Sequence, residues 1–596
     1  MEKKAKYDVQ DLNANYVHKL LEIVSKAALN GISVIDEVNI ERYKTLEYRD
    51  AYYNIVNKIN TKQNLGHAIC LVGLRRTGKS ILLDQLHLNA EEFGIKANEI
   101  LHLTLSVIMN GKEVTRDFLD CAKLTSEKKI EYPSLEDVKM FIEQMQLYKN
   151  IKCIMIDEIT LCKDLILAGK GFIDLFVNSG ITVILAGTES ASFNLASENS
   201  LYSRVILEDI SYIPFGEYCR LKKIPVSSLE EKQRAMDRYI EHGNILDDTV
   251  DIDDKYIESA VGVNVALSII NSDYEEFIGN EHNVKELVQS IIKYFKLLGE
   301  SITVNNIKAE ITRADLTRAL RNENGRRKRE GNDLINISKM TRNQIVVEAT
   351  EEIFKEYDLD FNLSQIPLTH QQLSRIDELF TQMGLIYNMS IIPEHIATNG
   401  AVDADDLTIL HALSYNITKN IANKVLEKPL KLSDEDIQIL AEKIKSTAKG
   451  KFLEGIVTLQ FIKAFEGKAE LLTCLKSYEN GKFETERKCT KHKMYKYNNK
   501  IVANESTVNA EIDIVLTEPE IIKLIEIKKS TVVDEQQTRW LSNEVVINEI
   551  REKVSKSKPI KKYVYYLGKE AKINDVYYKN IVDELLNHYD LYFRRV

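Results

Sequence analysis

The chain has 596 residues (68.4 kDa), 44% of them hydrophobic and 29% charged. It is too long for one core, since domains usually hold roughly 100–200 residues, and too apolar for wholesale disorder. Seven scattered cysteines, never in a CxxC pair, exclude a disulfide framework and predict reduced thiols in a cytoplasmic protein. The net charge of -10 argues against a surface that coats nucleic acid uniformly, yet residues 451–596 carry 26 basic and 22 acidic side chains against 54 and 68 in residues 1–450. A less acidic C-terminal unit on an acidic body hints at a local anionic partner.

Residues 1–45 are polar with helical spacing, and their start, MEKKAKYDVQ, lacks the apolar core of a secretory signal. No later run approaches the ~20 uncharged apolar residues that span a bilayer. From residue 46 onward, apolar runs at 67–72, 100–107, 151–156 and 181–186 alternate with longer amphipathic stretches. That alternation predicts an α/β fold, a parallel sheet with helices on both faces. After Pro214 the chain reads as mainly helical to about residue 430, interrupted by the basic run Arg326-Arg327-Lys328-Arg329, expected in a solvated loop. From Phe452 a helix is followed by strands expected at 501–503, 510–516, 521–528 and 563–567. The expected units are a helical extension at 1–45, an α/β core at 46–225, a helical region at 226–430 and a second α/β unit at 431–596.

The segment Gly73-Leu74-Arg75-Arg76-Thr77-Gly78-Lys79-Ser80 has the full GxxxxGK[ST] pattern, between an apolar strand and the helical run 81–86. Its glycines let backbone N–H groups turn inward around phosphate oxygens, at a helix N-terminus that already favours anions. Lys79 would reach the β- and γ-phosphates of ATP, and the Ser80 hydroxyl would ligate Mg²⁺. A second apolar strand ends in Asp157-Glu158. A carboxylate at such a place needs a cation or donor. Asp157 would complete the Mg²⁺ shell opposite Ser80, and Glu158 would polarise the attacking water. Thr188, after the strand 181–186, is either a γ-phosphate contact or a helix N-cap. Arg204 is either an arginine finger or an ordinary surface arginine.

The residues LVGLRRTGKS, IMIDE, ILAGTES and SRVILEDISYIPFGEY together resemble the prokaryotic AAA-type P-loop ATPases, an ASCE-type parallel sheet. More narrowly, they resemble the branch that carries a C-terminal restriction-endonuclease-like domain. The resemblance implies ATP hydrolysis, a finger role for Arg204 acting in trans within an oligomer, and a winged-helix region after the ATPase core. The segment LSRIDELFTQMGLIYNMSII, residues 373–392, is similar to that winged helix and reads equally as a DNA reader or a protein-packing module.

In AEIDIVL, residues 510–516, period two places Glu511 and Asp513 on one face and Ile512 and Ile514 on the other. In LIEIK, residues 524–528, Glu526 and Lys528 share a face, so the two strands bring Asp513, Glu526 and Lys528 together. Converging carboxylates can hold divalent metal, a lysine beside them can position water, and Glu454 on the preceding helix could add a carboxylate from the side. The spacing resembles the PD-(D/E)XK nuclease core, which implies Glu454, Asp513 and Glu526 as metal ligands and Lys528 as the catalytic lysine. The basic stretch 488–500, with His492, reads as a lysine-rich loop or a path for a nucleic-acid backbone.

Two functional readings follow. One is an Mg²⁺-dependent ATPase whose nucleotide state controls a winged-helix and nuclease-like half acting on DNA. The other is a nucleotide-dependent scaffold whose nuclease-like domain is catalytically silent and binds a protein partner. A small-molecule kinase fits poorly, because the Asp157-Glu158 pair favours water as the acceptor and no arginine-rich lid is evident.

Overall fold

The computed structural model describes residues 43, 45–73, 77–105, 108–109, 112–113, 130–131, 134–147, 150–162, 164–187, 204–242, 246, 310–336, 386–392, 402–406, 433–465, 470–479, 482–483, 508–534 and 538–593. Leu74, Arg75, Arg76, Thr188, His492 and the expected strand at 501–503 lie outside them.

Five strands, β1 (Ala68–Val72), β2 (Ile100–Thr104), β3 (Cys153–Asp157), β4 (Thr182–Gly187) and β5 (Val205–Asp209), form one sheet in the order β2-β3-β4-β1-β5. Every pair is parallel. Both β1 and β3 are buried at every position because helices cover both faces of the sheet. Alternation along the strands sorts the core into two layers. Ile69, Leu71, Met155 and Ile184 pack with Tyr52 and Ile55 of α1 (Asp50–Asn60) and with Leu82 and Leu86 of α2 (Lys79–Leu88). Cys70, Ile154, Ile156 and Leu185 pack with Phe141 of α3 (Leu135–Gln146) and with Phe172 and Phe176 of α4 (Leu165–Val177). The strand β5, which sequence patterning misses, is an edge, and its alternating partial exposure follows from that position. This is the expected P-loop NTPase arrangement of an α/β unit, with β4 between β1 and β3.

The second sheet comprises β6 (Ile386–Ile392), β7 (Val402–Asp406), β8 (Glu470–Glu479), β9 (Val508–Thr517), β10 (Ile522–Ile527), β11 (Ile560–Tyr566), β12 (Ala571–Ile573) and β13 (Val576–Asn580), in the order β7-β6-β8-β9-β10-β11-β13-β12, with the short segment Lys482–Phe483 paired back onto β8. Strands β8, β9 and β10 are antiparallel neighbours, whereas β10, β11 and β13 run parallel. The helices around it are α5 (Phe215–Leu221), α6 (Leu229–His242), α7 (Glu310–Glu330), α8 (Asp434–Phe465), α9 (Glu544–Lys553) and α10 (Ile581–His588). Within 373–392, the helix expected of a winged helix lies outside the described residues, and the strand β6 pairs with β7 and, parallel, with β8. The basic run sits in the last turns of α7 rather than in a loop. Its Arg326 and Arg327 close onto the fully buried Glu323, and Arg327 also holds Asp436 of α8.

Helices α5 and α6 follow the first sheet in sequence but complete the core of the second. Phe215, Tyr218, Met236 and Tyr239 form one cluster with Leu453, Val457 and Phe461 of α8, Ile514 and Ile525 of the sheet, and Ile581 and Leu585 of α10. Gln460, buried inside α8, pins the joint. Its Oε1 accepts from the Tyr212 hydroxyl at 3.2 Å and the Phe215 N–H at 3.1 Å, while its Nε2 donates to the Leu585 carbonyl at 2.7 Å.

Candidate functional site

The carboxyl ends of β1 and β3 meet the first turn of α2. Gly73 follows β1 at a crowded point, since a Cβ there would lie 3.1 Å from the Ser211 nitrogen, closer than most Cβ contacts. Gly78 takes φ +92°, a conformation that glycine adopts without a Cβ clash. The next residue, Lys79, opens α2 and sends its ammonium back across the loop to the Gly73 carbonyl at 2.7 Å. The loop is thus bridged by the cation expected to meet phosphate.

Ser80 donates from Oγ to Asp157 Oδ2 at 2.6 Å, and the Glu158 N–H donates to Asp157 Oδ1 at 2.9 Å. Burial pushes the Asp157 carboxyl up to about 6, with the Glu158 charge adding to it, while Ser80 and Lys79 pull the other way. A buried carboxylate so placed gains most from a cation. The hydroxyl and carboxylate paired here are therefore a fitting donor set for Mg²⁺. Glu158 stands at the strand tip, partly exposed, at φ +61°, a strained choice for a residue with a Cβ.

Arg204 behaves differently. Its carbonyl accepts from the N–H of Ala68, the first residue of β1, so it stands at the end of the sheet opposite the phosphate loop. Five strand residues separate the two ends, about 16 Å at the usual rise. Its side chain pairs with Asp174 of α4 at 2.7 Å. It therefore does not reach the phosphate loop of its own chain.

Asp84, His102 and Arg49 escaped the sequence reading, as did the role of Glu217. Asp84 of α2 is raised to about 7 by burial and by Asp157, and faces His102 Nδ1 at 3.7 Å. Arg49, at the start of α1, places Nε on Glu217 Oε1 at 2.7 Å and Nη1 on the loop carbonyl of Thr77 at 2.5 Å. The spacing of 168 residues between Arg49 and Glu217 explains why no local pattern reveals their pairing.

In the second sheet, Asp513, Glu526 and Lys528 do come together. Lys528 Nζ lies 3.3 Å from Asp513 Oδ2 and also donates to Glu526 Oε2. Asp513 accepts in addition from the Ile527 N–H at 2.6 Å. Burial lowers the lysine's pKa, but the charges of Asp513 and Glu526, with Glu454 behind them, hold it above the usual value. The strict alternation expected of 510–516 does not hold. The β9 register shifts so that Asp513 and Ile514 together face Thr473, a bulge that puts Ile512 and Ile514 on opposite faces. Among the described residues no group of three or more His, Cys, Asp or Glu side chains could hold a metal ion, so Glu454 does not complete such a set with Asp513 and Glu526.

Residues 66–219 match the family model described as an AAA domain. With the strand order and the loop geometry, the match defines this unit as an AAA-type P-loop domain, a nucleotide-binding α/β module. Among solved structures, AMPPCP-bound DnaA from Aquifex aeolicus aligns at 15% identity over 58% of this chain and 95% of that one, TM-score 0.20. The Aeropyrum pernix ORC1 protein in complex with DNA aligns at 14% identity over 61% and 91%, TM-score 0.17. Scores this low add nothing to the fold argument. No curated protein matches the chain. Among the described residues no helix is long and apolar enough to cross a membrane.

Proposed function

We propose that the chain is an Mg²⁺-dependent ATP hydrolase whose nucleotide state controls a nuclease-like C-terminal unit acting on DNA. The observation that carries the hydrolase reading is the 2.6 Å contact between Ser80 and the buried Asp157, with Glu158 beside it. Lys79 would bind phosphate oxygens, Ser80 and Asp157 would hold the metal, and Glu158 would orient and deprotonate water. When bound, Mg²⁺ supplies electrostatic stabilisation of charge on the transferred phosphoryl group. Arg204 would serve a neighbouring subunit. The buried thiols of Cys70, Cys153, Cys162 and Cys219 support a reducing, cytoplasmic setting.

The nuclease-like reading is supported by the succession α8, β8, β9, β10, α9, β11, an antiparallel meander followed by a parallel crossover, with a lysine between two carboxylates at its centre. The scaffold reading has its own support. The Lys528 ammonium already pairs with both carboxylates, and the described residues do not make a three-ligand metal set.

One series of assays separates these. Lys79→Ala is expected to abolish binding of a fluorescent ATP analogue, and Glu158→Gln to keep binding while losing turnover by a factor of ~100 or more. Undiminished turnover in the second variant removes Glu158 from its role. Linear and plasmid DNA are then incubated with Mg²⁺ or Mn²⁺, with and without ATP. Cleavage that disappears in Asp513→Ala supports the nuclease reading, whereas uncut DNA in every condition leaves the scaffold.

A further inference from the structure

One buried arginine reaches from the phosphate loop of the AAA-type site to helix α5. Arg49 spends its guanidinium on four acceptors, three of them backbone carbonyls. Beyond the Thr77 carbonyl of the phosphate loop and the Glu217 carboxylate, Nη1 reaches the Ile210 carbonyl at 3.4 Å and Nη2 the Tyr212 carbonyl at 3.3 Å. Arg49, Thr77 and Glu217 are all buried. The guanidinium is a planar, rigid fork, so its acceptors cannot move independently of one another.

Glu217 belongs to α5, the first helix of the shared core. Its Oε1 also accepts from the Asp50 N–H at 2.9 Å. One turn on, Arg220 donates to Asp50 Oδ1 at 2.7 Å and to the Tyr589 hydroxyl at 3.2 Å. Tyr589 in turn donates to Asp50 Oδ1 at 3.1 Å. The Tyr589 ring lies so close against Gly216 that a Cβ there would meet it at 2.3 Å. A continuous, buried to partly buried path of contacts therefore runs from the loop carbonyl to Tyr589, just after α10.

We propose that Arg49 is a positioning residue that couples nucleotide occupancy of the loop to the packing of α5 against Tyr589. The inference rests on the reading of residues 73–80 as an ATP site that controls the C-terminal half, and names the contact through which control passes. Thr77 directly precedes Gly78, where the backbone must turn its N–H groups toward phosphate. A shift of the Thr77 carbonyl displaces the fork, and the fork is held to Glu217 on the far side.

The test is hydrogen exchange of the peptide spanning 585–593 in the full chain, with and without Mg²⁺ and a non-hydrolysable ATP analogue. Binding of the same analogue and steady-state turnover are measured in parallel. In the unaltered protein the analogue is expected to change exchange at least roughly fivefold, the lower end of ordinary allosteric coupling. Arg49→Lys keeps a charge for Glu217 but not the fork. It should bind the analogue and remain folded, yet lose that change. Arg49→Met with Glu217→Leu removes the pair without stranding a buried charge and should behave alike. A nucleotide response that persists undiminished in both variants overturns the role of Arg49 while leaving the control reading intact. An unaltered protein that binds the analogue and shows no response at 585–593 overturns the coupling itself, and one that fails to bind overturns the site.

Discussion

Glu158 holds a left-handed backbone that a residue with a Cβ adopts at a cost of roughly 1–2 kcal/mol. It also adds its charge to a carboxylate already disfavoured by burial. Both penalties fall on the residue assigned to orient water, a pattern in which strain is retained at a working site and offset elsewhere. Replacing it by glycine removes the strain and the repulsion together. Glu158→Gly is therefore expected to raise the unfolding free energy by about 1 kcal/mol while turnover is lost. Denaturant midpoints and ATP turnover measured on the same preparation check this. A less stable glycine variant would mean that Glu158 contributes to the fold through contacts that outweigh its backbone.

Among the elements, what was legible follows from burial. Strands β1, β3 and β4 are covered on both faces, so they are written as continuous apolar runs, and each reading falls within two residues of the strand found. The edge strand β5 has one neighbour among the described residues and reads Val-Ile-Leu-Glu-Asp, too polar at its end to stand out. Strand β8 mixes charged, hydroxyl and apolar residues and escaped for a similar reason. The bulge at Asp513 was illegible because register belongs to the pair of strands, not to either one. The allegiance of α5 was equally hidden, since nothing local says which sheet a helix following Pro214 will cover. Gly216 is the residue that permits its docking. Gly216→Ala sets a methyl group into the Tyr589 ring and is expected to destabilise the joint by about 1–3 kcal/mol through overpacking, despite the better helix propensity of alanine. Thermal unfolding reads the loss, and relief by Tyr589→Leu in the same chain identifies the ring as its cause. An alanine variant as stable as the parent would show that Tyr589 can move aside at no cost.

At the scale of the molecule, α5 and α6 carry the chain from the first α/β unit into the core of the second, and a single histidine offers a way to test whether the two unfold together. His588 closes α10 with its ring 4.3 Å from Phe461 and 5.7 Å from Phe465, both of α8, and its Nδ1 is buried without a hydrogen-bond partner among the described residues. Burial, with a smaller contribution from Lys523, brings its pKa down to about 4 from an ordinary value of 6.5. The folded protein therefore refuses a proton that the unfolded chain accepts below about pH 6.5. Stability attributable to this residue is complete above that pH and declines as the pH falls toward 4, with a slope of up to about 1.4 kcal/mol per pH unit for one proton. Below about 4 both states are protonated and the loss levels off. His588→Phe preserves the aromatic packing and removes the titration, so urea midpoints of the two proteins should diverge between pH 6.5 and 4, the phenylalanine variant holding the higher value. Because α8 and α10 share their core with α5 and α6, the divergence should appear equally whether unfolding is followed by nucleotide release from the phosphate loop or by fluorescence of Trp540 in the C-terminal unit. Parallel pH profiles would remove His588 as the proton-linked group, and a divergence confined to the tryptophan signal would mean that the two units unfold separately despite the helices that join them.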